Sequence, residues 1–444
     1  MSLDQLTTEI LLNIGFYVDH EDLRELCLTS RRLMLIFEEK AYEVAEFDET
    51  SESANGLFAL ASGPRGNIVR KIRYKPHSPW PAEDEDEDEV KEHNPDIKLS
   101  DETRRALQSL DLFPSVEKFQ FDLTDWNLDG WLDASLNYDS DGDHGSCNTE
   151  PWKVLVEQSL QSLIKSAGTF SQLELNGLPP DVHESYLFWQ SDDWRSLGSL
   201  KSFEISLGGV EDSGNGSMTG FHQDFVALIP DMFLKHLTHV QLLRVAGTED
   251  AVIGTNENTE PIDWTSLQLP CLTSFEMDYS QISDGHIEFF SNHAAKLERI
   301  SLRNCIATLK EVWSNLFRLF LDKKPAQLVD FTVVAYPVRM RMGQPNYWSM
   351  GNIAGFDMSD ELKKEKMRRF VVGEACDRYG TIDPVEDRAE SDDDAQLDES
   401  DVVEWWTELE GLLERNRKQA GLAREKQVTL DRGLPMDNCD RLID

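Results

Sequence analysis

Three regimes of apolar and polar patterning divide the chain. Over residues 1–45 apolar residues recur at three- and four-residue steps, the period of an α-helix. Leu3, Leu6, Ile10, Ile14 and Tyr17 fall on one face of a first helix, and Leu11 and Val18 widen it. Asp19 is placed to cap a second helix, with Asp22 three residues on in capping-box spacing and Leu23 and Leu26 on the inner side. Thr29 or Ser30 can cap a third, which carries Leu33, Ile36 and Phe37. Three helices in so short a stretch bury too little surface to fold robustly alone. Each buried Leu or Ile contributes about 1.5–3 kcal/mol, against an ordering entropy of roughly 1–2 kcal/mol per residue. Some of these apolar positions can seal the helices against one another. The others need a second chain or the next part of this one, so the segment reads as a docking module.

Over residues 60–345 the pattern becomes a recurring L-x-x-L-x-L. Its clearest copy is "LERISLRNC", in which Leu297, Ile300, Leu302 and Cys305 occupy the four apolar slots of a leucine-rich-repeat strand segment. Weaker copies start at Val69, Val116, Phe170, Leu200, Leu237, Leu272 and Leu328. Their third slots are Tyr74, Phe121, Leu175, Ile205, Leu242, Met277, Leu302 and Val333, at steps of 47, 54, 30, 37, 35, 25 and 31 residues. The later steps suit one strand plus one helix per unit; the long early ones take in acidic insertions near 76–95 and 126–150. Amphipathic helices predicted at 151–168 and 309–324 fill two of the connections. One such unit cannot cover its own apolar face, but stacked neighbours can. The expected class is α/β: three N-terminal helices, then an irregular leucine-rich-repeat-like solenoid with parallel strands concave and helices convex. An ordinary α/β domain of alternating elements is the other architecture that fits.

The third regime is the C-terminal end. An extension over 346–382 leads into an acidic stretch at 383–401, expected to be a flexible linker. Beyond it Val402, Trp405, Trp406, Leu409, Leu412 and Leu413 lie at helical spacing in a segment spanning 402–428. An apolar stripe of that size has to dock, on its own protein or on a partner.

Charge narrows the partners. Asp and Glu outnumber Lys and Arg by 83 to 43, a formal charge of −40, which repels phosphate backbones and speaks against nucleic acid. A basic protein partner is favoured instead, although much of the excess lies in "EDEDEDE" (83–89) and 383–401. No apolar run approaches the roughly 18–20 residues of a membrane span. The first residues include acids and no basic stretch, so a secretory signal is not expected. Six cysteines without a CxxC pair argue against a disulfide framework or zinc ribbon, and the expected compartment is the cytoplasm or nucleus.

The N-terminal residues resemble a known family. "LTTEILLNI" from Leu6, "DLREL" from Asp22 and "LTSRRL" ending at Leu33 are similar to an F-box, particularly the fungal form. Leu6, Glu9, Ile10, Leu11, Ile14, Asp22, Leu23, Leu26, Ser30, Arg31, Arg32 and Leu33 match the pattern; Thr7 stands where the family usually has proline. The resemblance covers about 40 of 444 residues. It implies binding to the Skp-type adaptor of cullin–RING ubiquitin ligases and, through it, to cullin, while a second domain captures a protein substrate. Repeats of the leucine-rich kind are one of the family's usual second domains. By this resemblance Leu6, Ile10, Leu11, Ile14, Leu23, Leu26 and Leu33 either meet the adaptor or hold the helices together. The chain is then a non-catalytic receptor that works by proximity and needs no cofactor. An interaction scaffold using the same module, or a mere helical cap for the repeats, are the other readings.

Catalytic and metal motifs are sparse. Asp139, Asp141, Asp143 and Glu150 fall on positions 1, 3, 5 and 12 of a calcium loop, but His144 stands where the sharp turn needs glycine. His236 and His239 sit three apart without the cysteine or acid pair that would complete a metal site. No phosphate-binding loop, nucleophile elbow or HExxH motif occurs.

Overall fold

The computed structural model describes residues 3–78, 98–126, 151–179, 192–208, 218–248, 253–254, 262–307, 310–334, 371–372, 374–375, 382–383 and 399–422. The acidic run at 83–89, the 127–150 segment with its calcium-like spacing, and nearly all of 335–398 lie outside them.

The chain opens with α1 (Thr8–Tyr17), α2 (His20–Thr29) and α3 (Arg31–Ala41). Asp19 accepts from the Asp22 N–H at 2.8 Å and so caps α2; Ser30 accepts from the Arg32 N–H and so caps α3. Strand β1 (Val44–Phe47) follows almost without a break. Then come α4 (Ser51–Ser62), β2 (Lys71–Tyr74), α5 (Asp101–Leu107, capped by Ser100), β3 (Lys118–Asp122) and α6 (Pro151–Ile164). Next are β4 (Gln172–Leu178), β5 (Ser202–Leu207), α7 (Met218–Met232), β6 (Leu242–Ala246), β7 (Ser274–Asp278) and β8 (Gln281–Ile282). The series continues through α8 (Asp284–His293), β9 (Arg299–Arg303), β10 (Ile306–Ala307), α9 (Lys310–Lys323) and β11 (Asp330–Val334). It closes with β12 (Val371–Val372), β13 (Glu374–Ala375), β14 (Ile382–Asp383) and α10 (Glu399–Gln419).

Nine strands form one sheet in the order β1-β2-β3-β4-β5-β6-β7-β9-β11, every pair parallel. A small parallel sheet, β12-β10-β8, and the antiparallel pair β13–β14 complete the pairing. The protein is therefore α/β with a mostly parallel sheet. Within the nine-stranded sheet each strand lies beside the one that precedes it in the sheet's chain order, and the connections between them carry helices or, as at Asp192–Ser199 and Trp264–Ser266, 3-10 turns.

The period-two alternation places one side of every strand in the core. Ile72, Phe119, Leu173, Phe203, Leu243, Phe275, Ile300 and Phe331 sit in one register row; Tyr74, Phe121, Leu175, Ile205, Val245, Met277, Leu302 and Val333 sit in the next. All are buried, in one apolar cluster that runs from Ala45 to Leu413. The backbone repeats with the side chains. The Glu43 carbonyl accepts the N–H groups of Arg70 and Lys71, the Arg70 carbonyl those of Glu117 and Lys118, and the step recurs at each strand until Val329 and Asp330 bond to Glu298.

Two expectations shift. The pattern placed a repeat segment at 237–242, whereas β6 lies at 242–246: the buried Val240 takes the first apolar slot, Leu243 and Val245 take the next two, and Leu242 turns to the other face. The sheet also starts earlier than residue 60, because β1 pairs with β2 directly after the third helix.

Two histidines in the core are held neutral. His286 is buried against the Trp264 ring, 4.9 Å between centroids, and its Nδ1 accepts from the Ser283 N–H at 3.1 Å. His293 donates through Nδ1 to the Phe289 carbonyl at 2.8 Å and accepts at Nε2 from the Leu269 N–H at 3.1 Å. Burial pushes His286 down to about 3 and lowers His293. A depressed histidine adds stability that is present above its unfolded value near 6.5 and is lost as pH falls toward the folded value. Between pH 6.5 and 5, His286 alone is expected to remove about 2 kcal/mol. Thermal melts at pH 7 and pH 5 check this: the midpoint falls at pH 5, and His286→Phe flattens the dependence.

Candidate docking surfaces

The three N-terminal helices have a core of their own, made of Leu11, Leu23, Cys27, Leu33, Phe37 and Ala41, separate from that of the sheet. Gly15 lets α1 approach α3 closely, since a Cβ there would meet the Phe37 ring at 2.6 Å. Burial raises the Cys27 thiol, and the Arg65 guanidinium opposes that shift. The unit is joined to the sheet by polar hooks. Arg24 donates to the carbonyls of Ala41, at 3.0 Å, and of Val44. Arg65, from the turn after α4, pairs with Glu38 at 3.0 Å, donates to the Tyr42 hydroxyl at 2.9 Å and stacks over its ring at 4.2 Å.

Packing separates the seven candidate residues into two roles. Leu11, Leu23 and Leu33 are buried inside the unit and cannot meet a partner without opening it. Leu6, Ile14 and Leu26 are half-buried, and Ile10 is 47% exposed. Other apolar side chains are more open still. Phe16, Leu28 and Leu35 are 70% exposed or more and Tyr17 is 85% exposed, with Leu3 and Leu12 also in solvent. Pattern alone did not single out Leu12, Phe16, Leu28 or Leu35. On α1, Ile10, Ile14 and Tyr17 lie to one side of the inward Leu11, Gly15 and Val18, and Leu12 and Phe16 lie to the other. Of ten exposed large apolar residues among the described ones, seven fall in residues 3–35. The helical period marks an apolar side chain but not which flank of a wide stripe stays open.

At the family's proline position, Thr7 is the N-cap residue of α1, with φ of −65°, the value proline would impose. Its side chain makes no bond to the helix backbone. Instead the Thr7 hydroxyl, after the Glu9 main-chain N–H, holds the Glu9 carboxyl below its usual range.

The second surface is the face of the sheet turned away from the helices. It is polar and of mixed sign, with Glu46, Arg73, Gln120, Glu174, Glu204, Arg244, Glu276, Ser301 and Thr332 aligned in one row. Ion pairs cross the strands: Arg73 to Glu46 at 3.2 Å and to Asp122 at 3.7 Å, Lys71 and Lys118 to Glu174. The excess negative charge of the chain is not concentrated on this row.

Possible metal donors are occupied by the protein. Asp48, Glu49 and His77 bring donor atoms within 4.8 Å of one another. The Asp48 carboxylate takes the N–H and hydroxyl of Thr50, while Glu49 accepts the His77 N–H and faces its Nδ1 at 3.0 Å. His239 bonds the Gly198 carbonyl and His236 the Asp231 carbonyl, two separate backbone anchors. No described helix is long and apolar enough to cross a membrane. The chain matches no protein-family model and no curated protein.

Proposed function

We propose that the protein is the substrate-recognition subunit of an SCF-type cullin–RING ubiquitin ligase. In this reading α1–α3 are an F-box that docks on a Skp-type adaptor, and the parallel sheet with its outer helices is a leucine-rich-repeat-like solenoid that holds a protein substrate. The observation that carries it is the concentration of exposed apolar side chains, from Leu3 to Leu35, on a three-helix unit whose own core has only six buried apolar side chains among the described residues. A patch of this kind marks a protein interface. The repeated strand and backbone pattern supports the second half of the reading. Catalysis is then left to a ubiquitin-charged enzyme brought close to the substrate.

Ile10 and Tyr17 share one open stripe of α1 and do not touch the unit's core. Changing both to Asp is expected to weaken adaptor binding by about a hundredfold or more, as for loss of two interface hot spots. Co-elution of the full chain with adaptor and cullin on gel filtration reads this out, with thermal melting as the control for folding. Wild-type chain that ignores both proteins refutes the proposal. Adaptor binding without cullin, and without accumulation of a bound protein when the stripe is changed, assigns the chain a scaffold role instead.

A further inference from the structure

The three-helix unit and the sheet meet without a linker. The Glu43 N–H bonds to the Lys40 carbonyl at the end of α3, at 3.3 Å, while the Glu43 carbonyl takes the N–H groups of Arg70 and Lys71 at the start of β2. One residue thus belongs to both parts, and any turn of one part on the other passes through the backbone bonds beside it. Apolar packing does not fix that turn, because the buried residues of the unit and those of the sheet form separate clusters. The angle between the parts therefore rests on polar contacts, which are directional.

Some of these lie close to the junction. Arg24 donates to the carbonyls of Ala41 and Val44, and the His20 ring meets the Lys40 carbonyl at 2.8 Å. Contacts so near the pivot have a short lever. Arg65 has a longer one. Met34, Glu38 and Tyr42 stand four residues apart, in one line along α3 and its C-cap that rises about 12 Å. The Arg65 guanidinium lies on this line. Its Nε pairs with Glu38 at 3.0 Å and its Nη1 donates to the Tyr42 hydroxyl at 2.9 Å. Its carbon stands 4.2 Å from the centre of the Tyr42 ring, and Nη2 reaches the Met34 sulfur at 3.8 Å. The base of Arg65 is itself fixed. It sits in the 3-10 turn Pro64–Asn67, where a Cβ on Gly66 would meet the Ala61 carbonyl at 2.8 Å, so the turn is folded tightly on the end of α4. Val69, shortly after, is buried in the core of the sheet.

We propose that Arg65 is the positioning residue that sets the angle between the three-helix unit and the sheet, gripping α3 at Met34, Glu38 and Tyr42 from a rigid point in the first repeat. A planar, forked cation suits this task. It serves Glu38 and Tyr42 at once and stacks on the ring, whereas a lysine is a single point of charge. A partner on α1 and a segment on the polar face of the sheet are then held in one fixed relation. In the receptor reading that relation decides where a captured protein stands relative to the adaptor, but the grip does not depend on that reading.

The test uses the full chain with Asn13, exposed on α1, and Gln161, exposed on α6, each replaced by a ketone-bearing amino acid and joined to a nitroxide. Pulsed dipolar spectroscopy then reads the distance between the two parts. The chain with Arg65 intact is expected to give one narrow distance, with any second orientation populated at about 10% or less. In R65A the ratio of the second orientation to the first is expected to rise about tenfold, the worth of one charge-assisted hydrogen bond. R65K, which keeps the charge beside Glu38 but not the fork, is expected to fall between the two. Circular dichroism at the same temperature checks that the helices are retained. A distance distribution in R65A that overlays that of the intact chain overturns the proposal. So does a broadening that comes only with loss of helix, which would make Arg65 a stabilising residue and not a positioning one. Adaptor capture on the same preparations reports on the surface of α1 separately. Intact capture with an unmoved distance therefore sinks the grip and not the receptor role.

Discussion

Phe37→Ala is expected to melt the N-terminal three-helix unit while the nine-stranded sheet stays folded. Phe37 is 1% exposed, and its ring packs on Gly15, the point of closest approach between α1 and α3. Truncating a buried phenylalanine costs about 3–5 kcal/mol. In the sheet's long cluster such a loss is shared among many neighbours. Here only Leu11, Leu23, Cys27, Leu33 and Ala41 remain, and the hooks to the sheet through Arg24 and Arg65 are polar. Separate cores joined by hydrogen bonds are expected to unfold separately. Limited proteolysis should cut the variant within residues 1–41 and leave a resistant remainder, and under the proposed receptor role adaptor capture should be lost with it. A variant that melts in one transition, together with the sheet, would mean that the two cores are coupled.

The expected behaviour reflects how sequence encodes these two parts. The three helices were legible because their apolar residues keep a helical period and Asp19 and Ser30 mark the starts. The division of labour on α1 was not. Ile10 and Leu11 are equally apolar neighbours, and only the packing of the three-helix core sends one inward and leaves the other in solvent. Seven repeat segments were legible for a related reason: their inward positions are the only apolar ones at that spacing. Around β6, Leu237, Val240, Leu242, Leu243 and Val245 crowd together and fit the motif in two registers, three residues apart. Pairing with Phe203 on one side and Phe275 on the other selects Leu243, a choice made by neighbouring strands rather than by the segment. Strand β1 escaped notice because its inward pair, Ala45 and Phe47, follows the half-buried Tyr42 and offers a weak version of the pattern.

The C-terminal helix supplies the second large effect. The spacing of Trp405, Trp406, Leu409, Leu412 and Leu413 required a docking place, and α10 finds it on α9 and the last strand of the sheet. Trp406 packs on the Phe317 and Phe331 rings at 5.3 and 5.9 Å, and Leu409 is fully buried. Asn416 donates to the carbonyls of Pro325, at 2.9 Å, and Leu328, at 2.8 Å. Arg417 donates to the Val329 carbonyl. At each earlier strand the equivalent carbonyl accepts two N–H groups from the next strand; at Val329 the series ends and a side chain takes their place. An open sheet edge is a template for pairing with another chain, and a covering helix is one way to block it. Trp406→Ala is expected to cost about 3–5 kcal/mol, and Asn416→Ala about 1–3 kcal/mol through two carbonyls left unpaired. Together they should release α10 and expose β11. The measurable result is concentration-dependent self-association of the double variant by light scattering, with wild-type chain unchanged over the same range. A double variant that loses stability yet remains monomeric would assign α10 to packing alone and leave the edge guarded by its own charged side chains, Asp330 among them.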